Sequence, residues 1–241
     1  MTRWSRRARW LAGALGIAVV VGCGVWALTP RPEPEPRPAT LDEAARLAMA
    51  RYLTYQSSPV RVRVEAPMAG STVVVEAVVD YREHHAVGSY EFAGSAAGLV
   101  AWDDRALAVA PGKQGDPLTT AGTMRATEWS PRSYTTDPLD TALRLSMLLG
   151  QDRPDNAQVL AEQGPRWLRT EVIDGKPHEV FAGPRPRAAN GSEQSPLTYW
   201  VADTGGLRRV TGQPAGIKGT LVVDFPGGRA GKVPADPWQP R

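Results

Sequence analysis

The chain has 241 residues, and its 28 basic and 25 acidic side chains leave a formal net charge of +3. Arg3, Arg6, Arg7 and Arg9 all precede the first apolar run, so the chain without these four arginines carries a charge of −1. The excess of positive charge therefore belongs to a short N-terminal stub and does not indicate a nucleic-acid-binding surface. We predict no nucleic-acid partner.

Residues 10–28 contain no charged side chain. A helix of this length, at about 1.5 Å per residue, just spans a hydrocarbon core of roughly 30 Å. The preceding arginines keep the N-terminus in the cytoplasm by the positive-inside rule. We therefore predict a basic cytoplasmic stub at residues 1–9, a transmembrane signal-anchor at residues 10–28, and a single-pass protein of the cell membrane whose C-terminal domain is extracytoplasmic.

Two other interpretations of this run remain open. The stretch before Cys23 ends in Val20-Val21-Gly22 and resembles a lipobox, so the run could be a lipoprotein signal cleaved before a lipid-bearing Cys23. The residues after Cys23 are apolar, which argues against this interpretation. Ordinary cleaved secretion is the third. Cys23 is the only cysteine, so the rest of the chain has no disulfide and no cysteine metal site.

Proline occupies nearly every second position of residues 29–39, a composition that favours an extended polyproline II spacer. An extracytoplasmic domain is predicted over residues 40–241. It opens with a helix from Leu41 to about Gln56, because Thr40 and Glu43 have the spacing of a capping box.

The apolar period then changes from 3.6 to 2, and an antiparallel meander is predicted from Val60 to Val109. Thr136 or Asp137 caps a second helix that has Pro138 at its first position and stops at Gly150. Further hairpins follow around the Asp174-Gly175 turn and the turn at residues 204–206. About nine strands and two helices predict an α+β fold with a strongly curved antiparallel sheet.

Two of these hairpins, residues 171–181 and 199–210, are similar to hairpins of the bacterial lipoprotein-carrier superfamily, the LolA, LppX and LprG group. The chain thus resembles an envelope protein of the actinobacterial type. The resemblance implies a half-barrel whose concave face is covered by two helices, and members that bind acyl chains or lipidated partners between sheet and helices. Because the superfamily is not enzymatic, no catalytic residue is carried over.

The candidate cavity lies between one strand face and one helix face. An apolar stripe on the second meander strand and another on the second helix could enclose a ligand, or they could simply pack on each other. The candidate lining residues are Val73, Val75, Val79, Leu143 and Met147.

The sequence gives little support for a catalytic or metal-binding site. The three histidines are His84, His85 and His178, and adjacent strand residues point to opposite faces, so we predict no metal site. We find no nucleophile elbow, phosphate loop or dinucleotide fingerprint. The prediction is therefore a non-enzyme without a cofactor, with an unrecognised hydrolase as the residual possibility.

The function predicted from the sequence is that of a membrane-tethered cell-envelope protein whose outer domain binds a lipid or a lipidated partner in an apolar cavity. Burial of the acyl chain away from water would drive the binding. The alternative is an envelope sensor or assembly module that binds a partner protein and has no ligand cavity. Such a module would use an exposed apolar patch or a free sheet edge.

Overall fold

Residues 35–241 form one compact unit in the computed structural model of the chain. No helix in the described part is long and apolar enough to cross a membrane. The predicted signal-anchor at residues 10–28, with Cys23, lies outside that part. The structure describes residues 34–68, 70–92, 94, 96–113, 115–184, 197–213, 218–228, 230–235 and 237–238.

Within these residues, twelve strands form a single antiparallel sheet, and they are β1 (Arg37–Pro38), β2 (Val60–Met68), β3 (Ser71–Asp80), β4 (His85–Phe92), β5 (Ala96–Asp103), β6 (Ala106–Pro111), β7 (Ser130–Ser133), β8 (Arg166–Ile173), β9 (Lys176–Ala182), β10 (Leu197–Ala202), β11 (Leu207–Gly212) and β12 (Leu221–Asp224). Their order across the sheet is β1-β8-β9-β10-β11-β12-β2-β3-β4-β5-β6-β7. The pairing of β12 with β2 joins two runs of consecutive strands into one surface.

The described sheet therefore has twelve strands and not about nine. Two short strands account for much of the difference, since β1 lies in the predicted proline spacer and β7 in a stretch rich in polar residues. Neither has the alternating apolar residues that predict a strand, and both form because a neighbouring strand offers a free edge. The α+β class and the antiparallel pairing are confirmed.

In the part of the chain that the structure describes, four α-helices accompany the sheet, and they are α1 (Leu41–Gln56), α2 (Pro117–Thr123), α3 (Pro138–Leu148) and α4 (Ala157–Glu162). The capping box of α1 is present: the Thr40 hydroxyl accepts from the N–H of Glu43, and the Glu43 carboxylate accepts from the N–H of Thr40. The two longer helices are the two that were predicted. The shorter ones were not, because each carries too few apolar residues to show a period.

Both longer helices pack on the same face of the sheet. Residues that pair directly in an antiparallel sheet point to one side, and Tyr199 is paired with both Phe181 and Val210. Phe181 packs against α1, and Val210 belongs to the cluster that buries α3. This shared surface is called the helix face below.

A second layer covers the opposite face at the end of the sheet formed by β3 to β6. There Val78, Val87 and Leu99 pack against Ala121 of α2, together with Trp129 and the C-terminal segment at Val233. The sequence did not predict this second layer. Its presence explains why the central strands carry apolar residues on both faces.

Gly150 follows α3 at the predicted stop, but its role is packing. The ring of Tyr81 lies against it, and a Cβ added at Gly150 would be 2.9 Å from Cδ2 of that ring and closer still to Cγ. The Tyr81 hydroxyl donates to the carbonyl of Ser146 at 2.8 Å. The glycine therefore lets one buried tyrosine connect the end of β3 to the end of α3.

The carboxylate of Glu43 ties β1 to α1. Arg37 donates to both of its oxygens at 2.7 and 2.8 Å, and the guanidinium also lies 4.6 Å over the ring of Trp167 in β8. The hydrogen bonds from Arg37, against the opposing effect of burial, lower the pKa of Glu43 to about 2. The Arg37–Glu43 ion pair therefore holds β1 against the start of α1.

We expect Glu43→Gln to lower the free energy of unfolding by about 2–3 kcal/mol at neutral pH, the value of two pKa units between the folded and unfolded states. Because the folded pKa is depressed, this stability is present above the unfolded value near 4.3 and is lost as the pH falls toward 2. Urea unfolding between pH 7 and 2.5 should show the two curves converging in acid. Glu91→Gln, on the exposed part of β4, is the control, and a constant gap at all pH values would contradict the assignment.

Candidate functional site

The five residues predicted to line a cavity lie together in one buried cluster on the helix face. Val75, Val79 and Leu143 have no exposed surface, and Val73 and Met147 are 2% and 8% exposed. All five belong to one hydrophobic cluster with β2, β12 and other strands. None of the five lines either of the two cavities described below.

A groove opens beside this cluster, along the flank of α3. Its volume is about 300 Å³ and its walls are predominantly apolar. Leu145 and Leu197 in its wall also pack against the cluster that contains the five predicted residues. We call it the leucine groove, and it is lined by Thr141, Arg144, Leu145, Leu148, Leu197, Gly212 and Leu221.

The register of three strands explains the space in the leucine groove. Leu197 pairs with Gly212 across β10 and β11, and Gly212 pairs with Leu221 across β11 and β12. The three residues therefore point to the same face in one row. Because the middle position has no side chain, a gap remains between two leucines, and α3 lies over it without filling it.

The helix side of the leucine groove ends in an exposed apolar residue. Leu148 is 62% exposed, although the leucine-rich sequence of α3 indicates a helix buried around most of its circumference. Arg144, one turn earlier, stacks 5.6 Å over the ring of Tyr134. The groove thus has an apolar floor and a cation at its rim, an arrangement that suits an acyl chain with a polar or anionic end.

An ion pair between a buried carboxylate and a partly exposed arginine holds the first turn of α3. Asp140 is fully buried, and Arg132 donates to its two oxygens at 2.5 and 2.7 Å. Thr135 adds a backbone and a hydroxyl donor at 2.6 and 2.8 Å. Burial raises the pKa of Asp140, but the bonds from Arg132 and Thr135 outweigh it and leave the pKa lowered. The carboxylate stays charged and anchors the helix that walls the leucine groove.

A second cavity, of about 250 Å³, lies between α1 and α4 and has a more polar lining. Arg51 and Asp155 face each other in it at 3.5 Å, and Arg51 also donates to the carbonyl of Leu148 at 3.0 Å. Burial raises the pKa of Tyr199 at its edge, so the phenol stays neutral. A charged pair in the lining suits an acyl chain less well than the leucine groove does.

The histidines stand apart from both cavities. His84 lies in the turn between β3 and β4 with a positive φ of 57°. The ring nitrogens of His85 lie 3.1 and 3.3 Å from the carbonyls of Glu83 and Val233, and Nδ1 of His178 lies 2.9 Å from the carbonyl of Lys176. In the described ranges, no group of three or more His, Cys, Asp or Glu side chains could hold a metal ion.

Sequence reasoning missed most of the groove. Leu145 and Leu148 lie in the second predicted helix, but neither is among the five candidate lining residues. The other wall comes from the ends of three consecutive strands, β10, β11 and β12, whose residues line up only through the register of the sheet. The best available signal was Gly212 at the end of a strand, where a glycine often marks a site of close approach or missing volume.

Three solved structures are similar to this chain, all at low TM-scores. The lipoprotein LppX of Mycobacterium tuberculosis is 17% identical with a TM-score of 0.42, covering 76% of this chain and 93% of that chain. A DUF1329 family protein from Desulfovibrio piger is 12% identical with a TM-score of 0.30, covering 79% and 95%. A putative outer membrane lipoprotein-sorting protein domain from Vibrio parahaemolyticus is 10% identical with a TM-score of 0.23, covering 78% and 90%.

Neither a protein-family profile nor a curated protein matches the sequence. The similar structures include a lipoprotein and a lipoprotein-sorting domain.

Proposed function

We propose that this protein is a membrane-tethered protein of the cell envelope whose outer domain binds an acyl chain of a lipid or of a lipidated partner. The observation that carries the proposal is the leucine groove, an apolar space between α3 and the sheet with an exposed leucine at its mouth. In this proposal the sheet curves around α1 and α3, so that the helix face is its concave side.

The size of the groove suits part of one acyl chain. Its volume of about 300 Å³ is at the lower end of the roughly 300–1,000 Å³ that ligand sites occupy. Each methylene buried there would contribute about 0.8 kcal/mol. Val73, Val75, Val79, Leu143 and Met147 form the packed core behind the groove and would give it a rigid wall.

The rim adds a preference for the polar end of the ligand. Arg144 lines the groove, and the part of its guanidinium not covered by Tyr134 can meet a phosphate or carboxylate oxygen. The apolar run at residues 10–28, whether retained as an anchor or replaced by a lipid on Cys23, would place this domain beside a bilayer. Residues 29–39 would connect the two.

We expect the full chain, extracted in mild detergent and measured by native mass spectrometry, to carry co-purified lipid or to take up an added fluorescent fatty acid. Gly212→Val should abolish uptake, because its side chain fills the gap between Leu197 and Leu221. Leu148→Gln should weaken uptake about tenfold, since one partly buried leucine contributes on the order of 1.4 kcal/mol.

The matched control for Leu148→Gln is Leu41→Gln. Leu41 is also an exposed leucine on a helix, at 60% against 62% for Leu148, but it lies outside the groove. The control should bind the fatty acid as the natural protein does. Uptake that persists unchanged in Gly212→Val, or a natural protein that never binds lipid, would remove the leucine groove as the site.

A further inference from the structure

A third cavity lies at the end of β3, on the face of the sheet that carries the second layer. Asp80 comes two residues after Val78, which packs in that layer, so the two side chains point to the same face. Asp80, Glu83 and His85 line the cavity together with residues 232–235 of the C-terminal segment. Its volume of about 420 Å³ lies within the roughly 300–1,000 Å³ of small-molecule sites.

The carboxylate of Asp80 has one committed oxygen and one uncommitted oxygen. The side chain is largely buried, with 8% of the residue exposed. Its Oδ1 accepts from the hydroxyl of Ser58 at 2.9 Å and from the N–H groups of Arg82 and Glu83 at 3.1 and 3.4 Å. Its Oδ2 has no hydrogen-bond partner among the described residues. A largely buried acceptor is costly to leave without a donor, so Oδ2 is suited to receive one from a ligand in the cavity.

The other polar groups of the lining add more acceptors than donors. In the described part of the chain, the carboxylate of Glu83 takes part in no hydrogen bond or ion pair. The ring nitrogens of His85 lie 3.1 and 3.3 Å from the carbonyls of Glu83 and Val233, which places the C-terminal segment against the turn between β3 and β4. Lys232 is the only lysine or arginine among the described lining residues, and it forms no ion pair within them.

These features favour a nitrogen cation as the ligand. Two carboxylates and one ammonium line the cavity, so negative charge is in excess among its acidic and basic side chains. An ammonium group has three donors and forms strong, charge-assisted hydrogen bonds with carboxylates. A metal ion is less suited, because no group of three or more ligating side chains is present in the described residues. Val233, Pro234 and Ala235 add an apolar wall that suits a short alkyl chain.

We propose that this cavity binds a small primary amine in its alkylammonium form. The ammonium group donates to Oδ2 of Asp80 and to the carboxylate of Glu83, and the alkyl chain lies along residues 233–235. The bound amine connects the turn between β3 and β4 to the C-terminal segment. The site is on the face of the sheet opposite the leucine groove, so it is independent of the proposed lipid binding.

The test is a titration of the full chain in mild detergent with n-butylammonium chloride, at constant ionic strength, followed by NMR. We expect the backbone amide signals of Glu83 and Lys232 to shift saturably. The uncharged n-butanol has the same alkyl chain and controls for partition into the detergent, and it should cause no saturable shift. A natural protein that does not respond to the amine, or responds equally to the alcohol, would overturn the proposal.

Variants of the lining make the result specific. Asp80→Asn should weaken amine binding about tenfold or more, because the charge is lost while the amide oxygen can still accept from Ser58. Lys232→Gln should tighten binding roughly two- to fivefold, since it removes a competing cation. The control is Asp104→Asn, at an exposed carboxylate outside the cavity, which should bind as the natural protein does.

A further variant keeps the test decisive if Asp80→Asn does not fold. The exposed side chain of Glu83 has no hydrogen-bond or ion-pair partner in the described residues, so Glu83→Gln should fold and should weaken binding roughly two- to fivefold. Equal binding in Glu83→Gln, Lys232→Gln and the natural protein would mean that the amine binds elsewhere on the surface, which overturns the proposal. Uptake of the fatty acid should be the same in all of these variants.

Discussion

Arg132→Met should lower the free energy of unfolding at pH 7 by about 3–5 kcal/mol, the usual cost of leaving a buried charge without its partner. The Asp140 carboxylate, with no exposed surface, would keep its two bonds from Thr135 but lose both bonds from Arg132. Because this helix forms one wall of the leucine groove, we also expect weaker binding of the fatty acid probe. Urea unfolding and probe titration measure the two effects.

The pH dependence of stability should differ between this variant and the natural protein. In the natural protein the pKa of Asp140 is lowered, so its contribution is present above the unfolded value and is lost as the pH falls. Without Arg132, the largest of the effects that lower this pKa is gone, so the pKa is less lowered and the variant has less of this stability to lose. The difference between the two proteins should therefore be full at neutral pH and shrink as the pH falls below the unfolded value of about 4.

A double substitution separates the lost pair from the lost packing. Asp140→Asn in the Arg132→Met background removes the unpaired charge, so the double variant should be more stable at pH 7 than Arg132→Met alone. Asp140→Asn alone should cost less than Arg132→Met, since Arg132 is 39% exposed and can turn to water. A double variant as unstable as the sum of the two single ones would argue against a buried ion pair at this position.

The sequence predicts the parts of the fold in which local signals and long-range packing agree. The capping box at Thr40 and the Asp174-Gly175 turn each combine a specific local geometry with a matching apolar period, and both are present. Strand β7 is different, because its four residues are all exposed and it exists only as a partner for β6. No local pattern can predict a strand that its neighbour alone stabilises.

In the candidate site, too, the sequence predicts the parts that have a local pattern and misses those that depend on pairing between strands. The apolar faces of β3 and α3 were recognised from their periods, and the structure brings them together. A periodic pattern, however, reports that a residue is buried and not whether the space beside it is filled. That depends on the row Leu197, Gly212 and Leu221, whose members come from three strands. Their alignment follows from the register across β10, β11 and β12, which single-strand patterns do not determine.

Trp102 offers the largest test of the core itself. The residue has no exposed surface and packs on the helix face in the same cluster as Leu143 and Met147. We expect Trp102→Ala to lower the free energy of unfolding by about 3–5 kcal/mol, because the cavity left behind adds to the lost burial. Urea unfolding measures this change. If the slope of the free energy of unfolding against urea concentration stays the same, the substitution has changed the stability without changing the surface exposed on unfolding.

Trp102→Phe should be far milder, for a reason specific to this site. The indole N–H of Trp102 has no hydrogen-bond partner in the described part of the chain. A buried donor without a partner costs about 1–3 kcal/mol, so removing the N–H offsets much of the lost volume. We expect a net cost below about 1.5 kcal/mol. Trp129→Phe, on the opposite face of the sheet, is the matched comparison, because its indole N–H is also buried and has no hydrogen-bond partner among the described residues. A phenylalanine as damaging as alanine at position 102 would mean that shape, and not the unpaired donor, determines the stability of this part of the core.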